Sequence, residues 1–453
     1  MSFSEHIGID IGSTFTKGAL FTVHDDHLEL TERLEYPTDR GDVSAACVSI
    51  FHRLSESAQG DSPEIAFSSS AHGGLNMVAI GIVPRYTEKL AREAALSAGA
   101  KLCGSFGYYL TEEDCRTIEN INPDIILLTG GTDGGNMEYV LKNAHMLSQS
   151  EISSVVVYAG NRSAKSEVEK ILSSSEQFTL YMCENILPQI DEPSIKEVRS
   201  VIKEVFMNQI MKGKGLSRAR DILGCEPIPT PGSLFSFIER ISTFDEYEHD
   251  WALVDIGGAT TDCYSVVKEP LRSLYDGVPV FGSGVKELQI TRSVEGDIGL
   301  RLNSLNLCEL IDDDTGLKDY AELVTEHIEH IPQNAEQHRF ENLLASSALS
   351  LAVKRHSGLL SPIYSVDGQF YRQLGKDLST IEFLLVSGGV ARRAEMEVFF
   401  DTGKKQIRLV PDSPVIKFDK DYQLPLLSVI QGVSDKVLAE YFWNQILSKE
   451  KGA

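Results

Sequence analysis

Asp10 and Asp255 each stand at the end of a short apolar run and open a glycine turn rich in hydroxyls. The two stretches read Ile9-Asp10-Ile11-Gly12-Ser13-Thr14 and Val254-Asp255-Ile256-Gly257-Gly258-Ala259-Thr260-Thr261. Glycine lets backbone N–H groups approach phosphate oxygens, and Ser13, Thr14, Thr260 and Thr261 supply further donors. An aspartate at the end of a buried strand is costly to leave unpaired, so it calls for a cation or a fixed donor. Two such aspartates facing each other suit one Mg²⁺ held mostly through water. A single copy reads equally well as an ordinary hairpin turn. Two copies about 245 residues apart, in the same strand–turn–strand setting, point to phosphate.

Lys17 lies on the strand leaving the first turn, where it either meets a terminal phosphate or faces solvent. Asp262 is expected to support the second loop rather than a metal. A third glycine turn closes the run Ile381-Glu382-Phe383-Leu384-Leu385-Val386-Ser387-Gly388-Gly389. Alone it reads as a tight strand-to-helix turn. Beside the other two it suits adenosine, because Gly388 and Gly389 leave room for a flat base before a positive helix N-terminus. The constellation therefore calls for MgATP in a cleft between two halves. Attack by water on that nucleotide makes an ATPase coupled to domain closure; attack by a bound hydroxyl makes a kinase.

The order of two phosphate turns and an adenosine turn resembles the superfamily of actin, sugar kinases and heat-shock chaperone ATPases. Over nearly the whole chain the sequence is similar to the glutamate mutase accessory protein family, whose members are encoded beside adenosylcobalamin-dependent mutases and aminomutases. Thr129-Gly130-Gly131-Thr132-Asp133-Gly134-Gly135-Asn136 and Thr291-Arg292-Ser293-Val294-Glu295-Gly296-Asp297-Ile298-Gly299 carry this narrower likeness. The resemblance implies an α/β fold of two ribonuclease H-like, actin-like ATPase halves around a nucleotide cleft, with a Rossmann-like insertion in the first half. It implies Asp10 and Asp255 as catalytic and metal-holding residues. Glu295 would orient the attacking water or touch ribose, and Asp297 would cap a helix. It implies an accessory chaperone, or reactivase, that uses ATP to exchange damaged cobalamin out of glutamate mutase or an aminomutase. A small-molecule kinase and an actin-like structural ATPase are the alternatives.

Length and composition agree with such a protein. The 453 residues suffice for two or three domains, and 42% hydrophobic with 24% charged residues is an ordinary globular balance. A formal charge of −24 repels nucleic acid and anionic membrane. The seven cysteines, Cys47, Cys103, Cys115, Cys183, Cys225, Cys263 and Cys308, form no C-x-x-C pair. That argues against a zinc ribbon or a cluster within one chain, and it suits a reducing cytoplasm. One cysteine per subunit at the interface of a homodimer stays open. No signal peptide and no apolar run of membrane-spanning length is present.

The elements that must position these residues follow from periodicity. His6 to Asp10, Thr16 to Val23 and Leu28 to Tyr36 read as strands, followed by a helix from an Asp42 cap to Ser55. His72, before two glycines, is assigned no role. From 85 to 190, strands Asp124 to Thr129, Ser154 to Ala159 and Phe178 to Cys183 end in loops. Helices Met137 to Leu147 and Ser163 to Leu172 follow the first two, giving a parallel βαβ layer. The Gly130–Gly135 loop lies where open sheets place ligands, although a wide turn explains it as well. An amphipathic helix spans Pro193 to Lys212, and the Pro227–Gly232 cluster marks a junction near 225–248. The expected organisation is 1–84 with 191–248 as the first half, 85–190 as the insertion and 249–453 as the second half.

Overall fold

The structure, a computed structural model, describes all residues except 1–2, 40, 61, 71–74, 83–89, 92–93, 96–99, 190–191, 211–215, 245–248, 283–286, 311–315, 367, 393–406 and 448–453. It has the mixed α/β class expected. Two compact units divide the chain: one comprises Met1–His72 with Lys214–Ala453, the other Gly73–Gly213.

The larger unit uses one strand order twice. Phe3–Ile11 is the centre of the first sheet. It pairs antiparallel with Phe15–His24, which pairs antiparallel with His27–Pro37. On its other side lie Glu64–Ser69 and then Ile228–Pro229, both parallel. The second sheet repeats this around Trp251–Ile256. Thr261–Val266 and Ile290–Glu295 continue antiparallel on one side, and Phe383–Gly388 and Val415–Phe418 run parallel on the other. Asp10 and Asp255 therefore end equivalent central strands.

Side-chain alternation decides where the aspartates point. Along Trp251–Ile256, Ala252, Val254 and Ile256 enter a core with helices Ser304–Leu310, Leu317–Glu326 and Ala335–His356. Trp251 and Leu253, and hence Asp255, take the opposite face. That face shares a second core with helices Thr230–Ile241, Gln423–Val429 and Asp435–Tyr441 and with Ala19 and Phe21 of the first sheet. Gly8 marks the corresponding face of the first sheet, since a Cβ there would stand 2.4 Å from the Leu426 carbonyl oxygen. Asp10, two residues on, shares the Gly8 face. The C-terminal helices thus lie between the two sheets, and both aspartates sit at the edge of that layer.

Several readings shift in detail. The first helix is Ser44–Ser57 with Val43 at its cap, so Asp42 stands one place earlier, where it accepts hydrogen bonds from the Ser44 N–H and hydroxyl. The Pro227–Gly232 cluster forms a short strand and then the start of Thr230–Ile241, which buries Leu234, Phe235, Phe237, Ile238 and Ile241. Proline is welcome in a first helical turn, where its missing N–H has no partner to lose. Asp297 caps no helix: turns follow it, and the next helix begins at Ser304. Residues 359–374 fold into the hairpin Leu359–Ser365 and Gly368–Leu374. His72 lies outside the described residues, as does most of the helix expected after Gly389.

The smaller unit is a five-stranded parallel sheet. In chain order its strands are Asn76–Gly81, Lys101–Gly107, Ile125–Leu128, Ser154–Tyr158 and Phe178–Met182, and their order in the sheet is 2-1-3-4-5. The first two strands have no counterpart in the sequence reading. Helices Glu112–Ile121, Glu138–Ser148 and Lys165–Leu172 connect the strands, the first held by a reciprocal cap between Thr111 and Asp114.

Candidate functional site

The two glycine turns have the same backbone closure. Gly12 N–H donates to the Phe15 carbonyl at 3.1 Å, and Gly257 N–H donates to the Thr260 carbonyl at 2.9 Å. A Cβ at either glycine would fall within 3 Å of that carbonyl oxygen. The turns also meet each other, because a Cβ on Gly258 would lie 2.8 Å from Thr14 Oγ1. Ser13, Thr14 and Thr260 are half-buried beside them. Thr261 is fully buried and its hydroxyl donates to the Ile298 carbonyl, so it braces the loop instead of facing the turn's mouth. Further bracing comes from Leu300, Arg301 and Leu302, whose N–H groups donate to the Gly257 and Gly258 carbonyls.

Asp10 is completely buried and its carboxylate is fully engaged. Ser68 donates to Oδ1 at 2.8 Å and Thr230 to the same atom at 2.5 Å, while the Tyr422 hydroxyl donates to Oδ2 at 3.0 Å. Lys17 is buried too, with Nζ 3.6 Å from the centroid of the Tyr422 ring. This resolves the two readings of Lys17 against solvent. Burial lowers its pKa, with the carboxylates of Asp10, Glu35 and Asp255 pulling the other way.

Asp255 differs from its counterpart. Its Oδ1 is shielded from water and has no hydrogen-bond partner among the described residues. Burial, then the nearby Asp262 carboxylate, pushes its pKa up to about 7, against the pull of Lys17. Ser387, which pairs with Asp255 as Ser68 pairs with Asp10, donates instead to Asp419 Oδ2 at 3.1 Å. An orphaned buried oxygen calls for a ligand. With a second carboxylate nearby and hydroxyls around, the donors are all hard oxygens, which suits Mg²⁺ retaining several waters. No group of three or more His, Cys, Asp or Glu gathers for a metal among the described residues, so a cage supplied wholly by protein is not what these side chains build.

Asp262 is held in a buried pair with Arg292, whose Nε donates at 2.8 Å and whose Nη2 is also bonded. Glu295, opposite Thr261 in the strand register, accepts from Arg355 at 2.8 Å, and the same guanidinium bonds Asp297 at 2.7 Å. Glu295 is thus an ion-paired carboxylate, and its partner Arg355 was not singled out in the sequence. Gly388 has φ +101°, and a Cβ on it would stand 2.2 Å from the Ile256 carbonyl oxygen. That places the third turn against the end of the Asp255 strand. Gly389 is exposed, with open space where a Cβ would be. The structure therefore brings together Asp10, Lys17 and Asp255, the two aspartate–glycine turns and the Gly388 turn.

In the smaller unit the Gly130–Gly135 loop is clamped by two buried asparagines. Asn161 accepts from Gly134 N–H and donates to the Gly135 carbonyl, and Asn185 donates to the Gly131 carbonyl and to Asp133.

Comparison with known proteins extends these observations. The family model described as MutL protein matches residues 6–446. Protein MutL of Clostridium tetanomorphum is 32% identical over 459 residues, covering 95% of this chain and 96% of that protein. Among solved structures, the inorganic polyphosphate/ATP-glucomannokinase from an Arthrobacter strain aligns over 98% of this chain and 99% of its own at 11% identity, with a TM-score of 0.28. The activator of the 2-hydroxyisocaproyl-CoA dehydratase from Clostridium difficile, solved with ADPNP, aligns over 99% and 100% at 11% identity, with a TM-score of 0.27. Likenesses at such scores carry no argument about ligand or chemistry.

Proposed function

The chain belongs to the MutL protein family, the glutamate mutase accessory proteins, and from that premise we propose that it binds MgATP in its larger unit and hydrolyses it to serve an adenosylcobalamin-dependent mutase. The client is glutamate mutase or an aminomutase, and the service is exchange of cobalamin that has lost its adenosyl group. One observation carries the nucleotide part of this reading. Two glycine turns with the same closure touch at Gly258 and Thr14, beside an aspartate with an unpartnered oxygen.

In this reading the two turns, held closed by the Gly12 and Gly257 N–H groups, clamp the β- and γ-phosphates through Gly258 N–H with Ser13, Thr14 and Thr260. Thr261 contributes by stiffening its loop. Asp10 and Asp255 are the metal-holding residues, Asp10 oriented by its three hydroxyl donors and Asp255 offering its free oxygen. Mg²⁺, if held there, would supply charge neutralisation at the phosphates and polarisation of a water. Lys17 faces the γ-phosphate, Gly388 and Gly389 admit adenosine, and Glu295 orients water once it loosens from Arg355. The kinase alternative needs an acceptor pocket with a base aimed at a hydroxyl, and no motif of the sequence resembles a sugar kinase acceptor site. The client surface is a protein, since a −24 chain disfavours nucleic acid and anionic lipid. No helix among the described residues is long and apolar enough to cross a membrane. We place the function in the cytoplasm, where MgATP and reduced thiols coexist.

The test is ATP turnover by the purified protein with Mg²⁺, alone and with cobalamin-inactivated glutamate mutase. Turnover that rises with the mutase, restores its activity and disappears in Asp10→Ala and Asp255→Ala supports the proposal. Absence of nucleotide binding overturns it. Turnover that depends on a small hydroxylic acceptor replaces it with a kinase.

A further inference from the structure

Tyr422 does more than donate to Asp10: it joins the two ends of the nucleotide site. It lies just past the strand Val415–Phe418 of the second sheet, but its hydroxyl bonds Asp10 Oδ2 of the first and its ring carries Lys17. Its backbone has φ +55°, a left-handed conformation that a bulky aromatic residue adopts only when its surroundings impose it. Asp419 is what imposes it. Its carbonyl accepts from Tyr422 N–H at 3.1 Å, while its carboxylate accepts from Gln423 N–H at 2.7 Å and Leu424 N–H at 3.0 Å. The same carboxylate accepts from Ser387, the residue before Gly388. Ser387, Asp419, Tyr422, Asp10 and Lys17 are all buried, so these bonds form one unbroken chain with little water to compete.

We propose that Tyr422 is a positioning residue that couples the Ser387–Gly389 turn to the Asp10–Lys17 phosphate turn, so that occupancy of one end of the site sets affinity at the other. This rests on the nucleotide reading and deepens it. A strut between two ends of one ligand makes the adenosine part and the phosphate part bind cooperatively, and the coupling is reciprocal. A spatial chain alone does not establish coupling, so coupling is the quantity to measure.

Tripolyphosphate with Mg²⁺ and adenosine are the two probes, titrated calorimetrically into the full-length protein, each alone and each with the other at saturation. In the wild type we expect adenosine to tighten tripolyphosphate at least ~10-fold, within the usual range of coupled sites. Tyr422→Phe keeps the ring under Lys17 and removes only the bond to Asp10. It is expected to bind adenosine alone within about 2-fold of wild type while the coupling falls below ~3-fold. Ser387→Ala, which breaks the chain at its other end, should lose coupling in the same way. A merely structural tyrosine would instead weaken both probes together. Wild-type coupling in Tyr422→Phe, or none in the wild type when both probes bind, overturns the proposal. Failure of either probe to bind at all overturns the nucleotide reading itself.

Discussion

Asp255 and Asp10 occupy equivalent strand ends, and their difference is measurable. The unfolded chain releases the Asp255 proton near the usual aspartate value of about 3.9, whereas the folded chain holds it up to about 7. The folded state therefore binds more protons between those values, and stability falls as pH rises through the window. The penalty is absent below pH ~4 and complete above pH ~7. A tenfold change in proton affinity corresponds to about 1.4 kcal/mol, and because the Asp255 residue keeps some contact with solvent we expect a penalty of only about 1–2 kcal/mol at pH 8. Asp255→Asn should raise the melting temperature of the nucleotide-free protein at pH 8, leave it nearly unchanged at pH 4.5, and abolish ATP turnover. Equal effects at both pH values would contradict the assignment. The glycines give a second residue-scale expectation. Gly258→Ala should weaken ATP binding at least ~10-fold by forcing the two turns apart, at a stability cost of about 1 kcal/mol or less. Gly389→Ala, which meets open space, should fold as the wild type does. Gly388→Ala, with its positive φ and its contact to Ile256, should lose several kcal/mol, on the order of 3, in denaturant titration.

Elements explain both what the sequence revealed and what it withheld. The buried Asp262–Arg292 pair links the strands Thr261–Val266 and Ile290–Glu295. Arg292→Met should cost about 3–5 kcal/mol by stranding a buried carboxylate, and adding Asp262→Met should restore most of it. A double-mutant cycle in urea checks both. The glycine turns were legible because their chemistry is local: strand, aspartate, glycine and hydroxyl follow one another within a few residues. The donors to Asp10 were not, because Ser68, Thr230 and Tyr422 stand 58, 220 and 412 residues away in the chain. No window of sequence contains such a shell. The Lys17 side chain was ambiguous for a related reason. Period-two alternation assigns a face to a strand residue, but it does not say that an aromatic ring from the far end of the chain covers that face. The helix Thr230–Ile241 was hidden by the Pro227–Gly232 cluster because the same residues that break a helix also begin one.

At the scale of the molecule, the two compact units should respond separately to local damage. Asn161→Ala removes the hydrogen bonds that hold the Gly130–Gly135 loop and should destabilise the smaller unit by about 2–4 kcal/mol. Hydrogen exchange should quicken in Ile125–Leu128 and Ser154–Tyr158 while Phe3–Ile11 keeps its protection. Loss of protection in both units together would mean that they unfold as one. The larger unit invites a different kind of comparison. Because one strand order is used twice, a site residue on the central strands or their parallel neighbours has a twin in the other sheet, with the same backbone setting and a different set of neighbours. Ser68 and Ser387 are such twins, one bonded to the central aspartate and the other diverted to Asp419. Substituting each in turn amounts to an experiment with its reference built in: preparation, concentration and ligand are shared, and only the half differs. The duplicated fold thus serves as its own calibrant, against which the division of labour between the halves can be read.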